Sequence, residues 1–373
     1  PAGRGWVAIS RSSSRCRLPR RGDTFDQAND AGYSQLDDGD PTSFWKSNPY
    51  LDRYYTHESD ALHPQWVLID VGGVRPVDAI RIASAAPYAT RFQVQRYVGG
   101  TDAVALGPGH WIDFPRGRFA GRGGNPILRL AARPIRVRFV RLLMSASSHT
   151  APTSSRDVRN GLGYAIGEVY LGTLDSRGEL HDLLVRQPSH AQTAIYVSST
   201  DPWHRAVDRD PGYEQPSFQT VLHSGLSRGL PMLVPVPMLY GTPGNAVAEL
   251  RYLHALRVPL RGVELGDEPD GQLAAPEDYG ALYVQFARAI HRAFPHLPIG
   301  GPAFATSLSD WAYWPNAGGE LVGACSRAPR NCSTSSGDAS RRCRRLLASR
   351  RSRGRPRAAG RARAGPRPRA REP

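Results

Sequence analysis

Between residues 35 and 175 apolar side chains recur at every second position, a period that strands satisfy and helices do not. In QWVLIDVGG, Val67, Ile69 and Val71 alternate with Trp66, Leu68 and Asp70. VDAIRIAS sets Ile80 and Ile82 around Arg81, and RFQVQRY sets Phe92 and Val94 between polar neighbours. RPIRVRFVRLLM opposes Ile135, Val137 and Phe139 to Arg136 and Arg138. Gly, Pro and Asp separate these runs. Several short strands with one buried face each predict an all-β sandwich.

After Leu183 the rhythm changes. TAIYVSS, PMLVPVPMLY, LRGVELGDE and LPIGGPAF read as strands, with starts near 193, 232, 261 and 298. Between them SFQTVLHSGLS, GNAVAELRYLHALR and PEDYGALYVQFARAIHRAF read as helices. In the last of these Tyr279, Leu282, Tyr283, Phe286, Ile290 and Phe294 fall on one face at spacings of three and four. Apolar strands alternating with amphipathic helices predict a parallel sheet covered by helices.

The formal charge of +15 belongs to the ends of the 373-residue chain. Residues 23–325 hold 26 basic and 31 acidic residues, whereas 326–373 hold 16 Arg against Asp338 and Glu372. The C-terminal stretch has no apolar period and mixes Arg with Ala, Gly and Pro, so it is expected to be disordered. An Arg-rich arm can neutralise phosphates, but no aromatic residue follows Trp314 to stack on bases. Nucleic acid is therefore not an expected partner. The abrupt switch, with one Lys (Lys46) against 47 Arg, fits an out-of-frame end of a GC-rich coding sequence better. Cys16, Cys325, Cys332 and Cys343 lie in or at the edge of these ends, and their spacing matches no zinc-finger pattern. The start, PAGRGWVAIS, has too short an apolar run for a secretory signal. No stretch reaches the ~20 apolar residues of a membrane span.

The segments LDDGDPTSFWKSNP, QWVLIDVGG, VDAIRIA, IRVRFVRLLM and GYAIGEVYLG, in that order over residues 24–173, resemble a discoidin (coagulation factor 5/8 type C) domain. The resemblance implies a jelly-roll-like sandwich that binds glycans or membranes through loops at one end. It also implies a structural calcium ion held by Asp38, Asp40 and Glu168, with Thr42 nearby. Hard oxygen donors from a tight loop suit that ion, and the same aspartates serve equally as turn hydrogen-bonders. Tyr50, Tyr54, Tyr55 and His57 of NPYLDRYYTHESD could stack on sugar rings or pack against their own sandwich.

GVELGDEPDG, residues 262–271, raises a catalytic question. If the strand alternation continues, Glu264, Gly266 and Glu268 share one side, and Glu268 stands where the strand gives way to a loop. Catalytic groups collect at that carboxyl end in a (β/α)8 barrel. The stretch resembles the strand-four Asn-Glu-Pro motif of retaining glycoside hydrolases, in their xylosidase- and heparanase-type branches. That resemblance implies Glu268 as general acid/base, needing no cofactor. Asp267 stands where the family has a sugar-binding Asn, a departure that adds negative charge beside Glu268. Glu264 would lie roughly 13 Å away along a continuous strand, too far for the second carboxylate of a retaining pair. The family nucleophile comes from a seventh strand. Trp203, His204 and Tyr240, near other strand ends, are further substrate-binding candidates.

The sequence thus divides into a basic leader (1–23), a sandwich (24–175), an incomplete (β/α)8 barrel (176–318) and an Arg-rich tail (319–373). The expected partner is an oligo- or polysaccharide. The parent activity would be retaining hydrolysis of O-glycosidic bonds, with this chain inactive; the rival reading is a glycan-binding or adhesion module without catalysis. A secreted or periplasmic location follows from the resemblance alone.

Overall fold

The period-two stretch folds into two antiparallel sheets packed face to face. In chain order its strands are β1 (Trp45–Lys46), β2 (Gln65–Val77), β3 (Ala79–Ser84), β4 (Ala89–Val98), β5 (His110–Ala120), β6 (Ile127–Arg129), β7 (Ile135–Ser147), β8 (Ala165–Leu174), β9 (Leu180–Asp182) and β10 (Ala194–Val197). One sheet runs β1-β8-β3-β6 with β9 beside β8, and the other runs β10-β2-β7-β4-β5. The computed structural model describes residues 26, 33–104, 109–152, 155–187, 191–201, 218–269 and 272–303. The expected leader and Arg-rich tail, with Trp203 and His204, lie outside the described residues. Those described all belong to one compact unit, Pro1–Ser326.

The alternation sets the core. Val67 and Ile69 of β2, Val94 of β4 and Val140 and Leu142 of β7 face Ile80 of β3 and Val169 and Leu171 of β8. Trp45 is fully buried among them, and its indole N–H donates to the Ser199 carbonyl at 3.0 Å. A buried indole needs such a partner.

β10 departs from the expected order. TAIYVSS was expected to open the repeat of parallel strands, yet Ala194–Val197 pair antiparallel with Asp70–Val67 of β2 and complete a sandwich sheet. Ser198 and Ser199 hydroxyls donate to the Gln65 side-chain carbonyl at 2.9 and 2.5 Å and fix this edge. A four-residue alternating run reads alike in either sheet, and these non-local partners decide.

The second layer contains α2 (Phe218–His223), β11 (Met232–Val236), α3 (Pro243–Ala255), β12 (Leu260–Leu265), α4 (Pro276–Ala293) and β13 (Ile299–Gly300). β11, β12 and β13 form a parallel sheet in that order. α3 starts sharply because Thr242 Oγ1 accepts from Asn245 N at 3.0 Å and Pro243 follows the cap. α4 buries Tyr279, Leu282, Phe286 and Ile290 against the strands, along the face the sequence marked.

The loop between β1 and β2 joins the layers and carries α1 (Arg53–Thr56). Tyr50 and Leu51 are buried in the same core as α4, and Tyr55 packs against it. Tyr50 and Tyr55 of the aromatic loop therefore pack against the neighbouring layer, while Tyr54 and His57 face solvent.

Candidate functional site

β11 and β12 are parallel, so the residues after each lie at one edge of the sheet. Tyr240, half-buried in the turn after β11, donates its backbone N–H to Pro237 O at 3.2 Å. Asp267 and Glu268 follow β12, and both are exposed. The strand does not continue to Glu268. Gly266 has φ 82° and Glu268 φ 47°, which ends the alternation that was expected to align Glu264, Gly266 and Glu268. A side chain at 266 would meet the Tyr279 ring at 2.8 Å, and only glycine combines that clearance with positive φ. The Tyr279 hydroxyl donates to Leu265 O at 2.6 Å and closes the bend. Beyond it Asp267 forms a parallel bridge with Ala303, and Glu268 N donates to Ala303 O at 2.8 Å. The backbone under Glu268 is thus fixed while its carboxylate faces solvent. Because the chain bends, the straight-strand separation from half-buried Glu264 does not apply.

The expected calcium residues come together in part. Glu168 is buried, accepts from Gly39 N at 2.7 Å and pairs with Arg186. Asp38 accepts from Asp40 N and Ser43 Oγ, both at 2.8 Å. Asp40 turns to Thr42, accepting from its N–H at 2.8 Å and its hydroxyl at 2.7 Å. Sequence reasoning missed Asp37. It is fully buried, accepts from Gln192 Nε2 at 3.1 Å, and its Oδ2 has no partner. Burial pushes the Asp37 carboxyl up to about 8; Arg186 opposes the shift, and Asp26, Glu168 and Asp38 add to it. Burial likewise pushes Glu168 up to about 7, again against Arg186. An orphaned buried oxygen among carboxylates has the chemistry of a hard-cation ligand. Asp37, Asp38 and Glu168 do not, however, bring three ligand atoms within 4.8 Å of one another, and Glu168 is paired with Arg186, so a calcium ion here would have to displace that pair; Asp40 serves the turn.

A second surface was missed by sequence reasoning. The sheet β10-β2-β7-β4-β5 turns its non-core face outward, and register places Tyr196, Leu68, Arg141, Gln95 and Asp113 in one row across it. The Arg141 guanidinium lies 4.4 Å over the Trp111 ring. It donates to Gln95 Oε1 from Nε at 3.0 Å and from Nη2 at 2.6 Å. Gln95 Nε2 donates to Asp113 Oδ1 at 2.9 Å, and Arg118 Nε donates to Asp113 Oδ2 at 2.7 Å. Trp66, Tyr97, Trp111 and Tyr196 are half-buried here, packed against a small buried cluster of Leu68, Ala103 and Phe139. The available signal was the polar phase of QWVLIDV, where Trp66 and Leu68 are too apolar for a plain solvent face.

Fold and surfaces together define an antiparallel β-sandwich joined to a short parallel α/β layer. No protein-family model matches the chain, and no curated protein matches it. Solved structures similar to part of it include chitosan-binding module 1 of a chitosanase/glucanase from Paenibacillus sp. IK-5, at 17% identity and TM-score 0.27, covering 42% of this chain and 96% of that one. Module 2 from the same source, solved with chitotriose, is 18% identical with TM-score 0.27, covering 41% of this chain and 96% of that one. The C-terminal domain of a chitobiase from Bacteroides fragilis is 18% identical with TM-score 0.24, covering 40% and 80% respectively. Among the described residues no helix is long and apolar enough to cross a membrane.

Proposed function

We propose that the chain binds carbohydrate through the outer face of the β10-β2-β7-β4-β5 sheet. The observation that carries this reading is the row in which Arg141, stacked on Trp111, is held by Gln95 and Gln95 by Asp113. A pyranose presents C–H groups on one face and hydroxyls at its rim. Half-buried aromatic side chains would meet the first, and pre-positioned guanidinium and carboxylate groups the second. Side chains already locked by one another lose little entropy on binding. The loop end of the sandwich offers less, because Tyr50 and Leu51 are buried against α4.

Chitotriose and a panel of neutral and acidic polysaccharides test the reading by affinity electrophoresis and calorimetry. Trp111→Ala and Arg141→Ala should each weaken binding at least about tenfold, since one stacked ring or charged contact is worth ~1–3 kcal/mol. Tyr54→Ala, in the β1–β2 loop, should leave it unchanged. Binding that survives both sheet-face substitutions refutes the assignment.

The α/β layer supports a second reading. In it the layer is part of a retaining glycosidase-type barrel, with Glu268 in the acid/base position and Asp267 and Tyr240 beside the sugar. Its support is the exposed Glu268 carboxylate on a fixed backbone at the carboxyl edge of parallel strands. The calcium ion proposed at Asp37, Asp38 and Glu168 would neutralise buried charge and plays no part in hydrolysis.

A further inference from the structure

We propose that Asp52, Asp60 and His149 bind a divalent transition-metal ion, zinc by the chemistry of the donors, at the loop end of the sandwich. Asp52 and Asp60 come from the β1–β2 loop and His149 from the β7–β8 loop. Each offers one ligand atom, and the three atoms lie within 4.8 Å of one another. His149 Nε2 is 3.0 Å from Asp52 Oδ2 and 4.0 Å from Asp60 Oδ2. Metal–ligand bonds of ~2.0–2.2 Å at tetrahedral angles put neighbouring donors about 3.3 Å apart, and the two spacings bracket that value.

The local structure holds these atoms in place. Asp52 Oδ1 caps α1 by accepting from Tyr54 N at 2.9 Å, and its Oδ2 accepts from Gly163 N at 3.0 Å. Asp60 Oδ1 accepts from Arg53 N at 3.0 Å, which leaves Oδ2 for the histidine side. An independent observation points to a missing ligand. The Tyr164 hydroxyl has no hydrogen-bond partner although the residue is only 3% exposed, and Asp60 and Asp52 are the charges that act on it. Buried polar atoms are nearly always paired. The histidine–aspartate hydrogen bond leaves that oxygen orphaned.

Imidazole with carboxylates and no thiol selects a borderline ion such as zinc over calcium or magnesium. The ion would tie together two loops, one of which carries Tyr50 and Leu51 into the core shared with α4. It is a structural clamp at the base of the α/β layer.

The test is titration of the full chain with Co²⁺ as a spectroscopic probe, and with Zn²⁺. One equivalent of Co²⁺ should give visible d–d absorption without a thiolate charge-transfer band, which separates this site from the four cysteines. His149→Asn and Asp60→Asn should each weaken binding at least about tenfold and remove the rise in Tm that Zn²⁺ gives the parent chain. Both should fold: asparagine tolerates the left-handed backbone at 149 (φ 52°), and its amide oxygen at 60 still accepts from Arg53 N. A thiolate band, no saturable binding, or unchanged affinity in both variants overturns the proposal.

Discussion

His63 Nδ1 lies 2.7 Å from Asp278 Oδ1, a contact between residues 215 positions apart that links the β1–β2 loop to the first turn of α4. The other ring nitrogen is 2.9 Å from Glu58 Oε2, so one buried imidazole sits between two carboxylates. Nearby, Gln285 Nε2 donates to Tyr50 O at 2.8 Å. These bonds and the shared burial of Tyr50 and Leu51 hold the sandwich and the α/β layer in one unit.

The first prediction tests that link. His63→Ala removes the imidazole that bridges Glu58 and the buried Asp278, and a buried polar group that loses a hydrogen-bond partner costs about 1–3 kcal/mol. The denaturation midpoint should fall, and limited proteolysis should cut between the sandwich and β11 before either layer is lost. A variant that resists protease like the parent chain would show that the apolar contacts suffice alone.

The second prediction concerns pH and calcium. Asp37 and Glu168 have folded-state pKa values raised to about 8 and about 7, against about 4 in an unfolded chain. The folded state therefore binds these protons more tightly. Their stability contribution is full below about pH 4 and is lost as pH rises through 7 to 8. In chelator, Tm should drop between pH 5 and 8. Millimolar calcium should shrink that drop by replacing the protons, because an ion bound only to the native state stabilises it. Glu249, also raised to about 7 by burial, contributes the same sign with or without calcium, so the difference between the two profiles is the readout. Asp37→Asn should flatten the profile in chelator. Superimposable profiles with and without calcium would eliminate the ion.

Much of this fold was legible because local pattern and final environment agree. Val67 and Ile69 of β2 and the apolar face of α4 are buried as their periods require, whereas β7 changes phase after Phe139 and puts Val140, Leu142 and Met144 into the core. Legibility failed where a partner far along the chain decides. TAIYV has the same alternation whether it joins β2 or a parallel sheet, and Gln65 settles the matter. The Tyr50 loop looks like a ligand loop until α4 is placed on it. Asp37 was passed over for its neighbours because nothing local marks which acid of a run points inward. The bend at Gly266 was hidden for the same reason: its cause is the Tyr279 ring, thirteen residues on.

The last prediction concerns Glu268. General acid catalysis matters most when the leaving group is poor, and removing the acid then costs about 10²–10⁴-fold. If the α/β layer belongs to a retaining glycoside hydrolase, Glu268→Ala should slow hydrolysis of alkyl glycosides by that order. Glycosides with activated aryl leaving groups should keep most of their first-step rate, because they depart without protonation. Azide should restore turnover of the glycosyl-enzyme, since it attacks without the general base that water needs. Glu264→Gln should disturb the cleft and leave the leaving-group dependence intact, because half-buried Glu264 lies within β12 and not at its carboxyl edge. Turnover on poor leaving groups that disappears in Glu268→Ala would support the acid/base assignment. Full activity on poor leaving groups without Glu268 would refute the assignment itself.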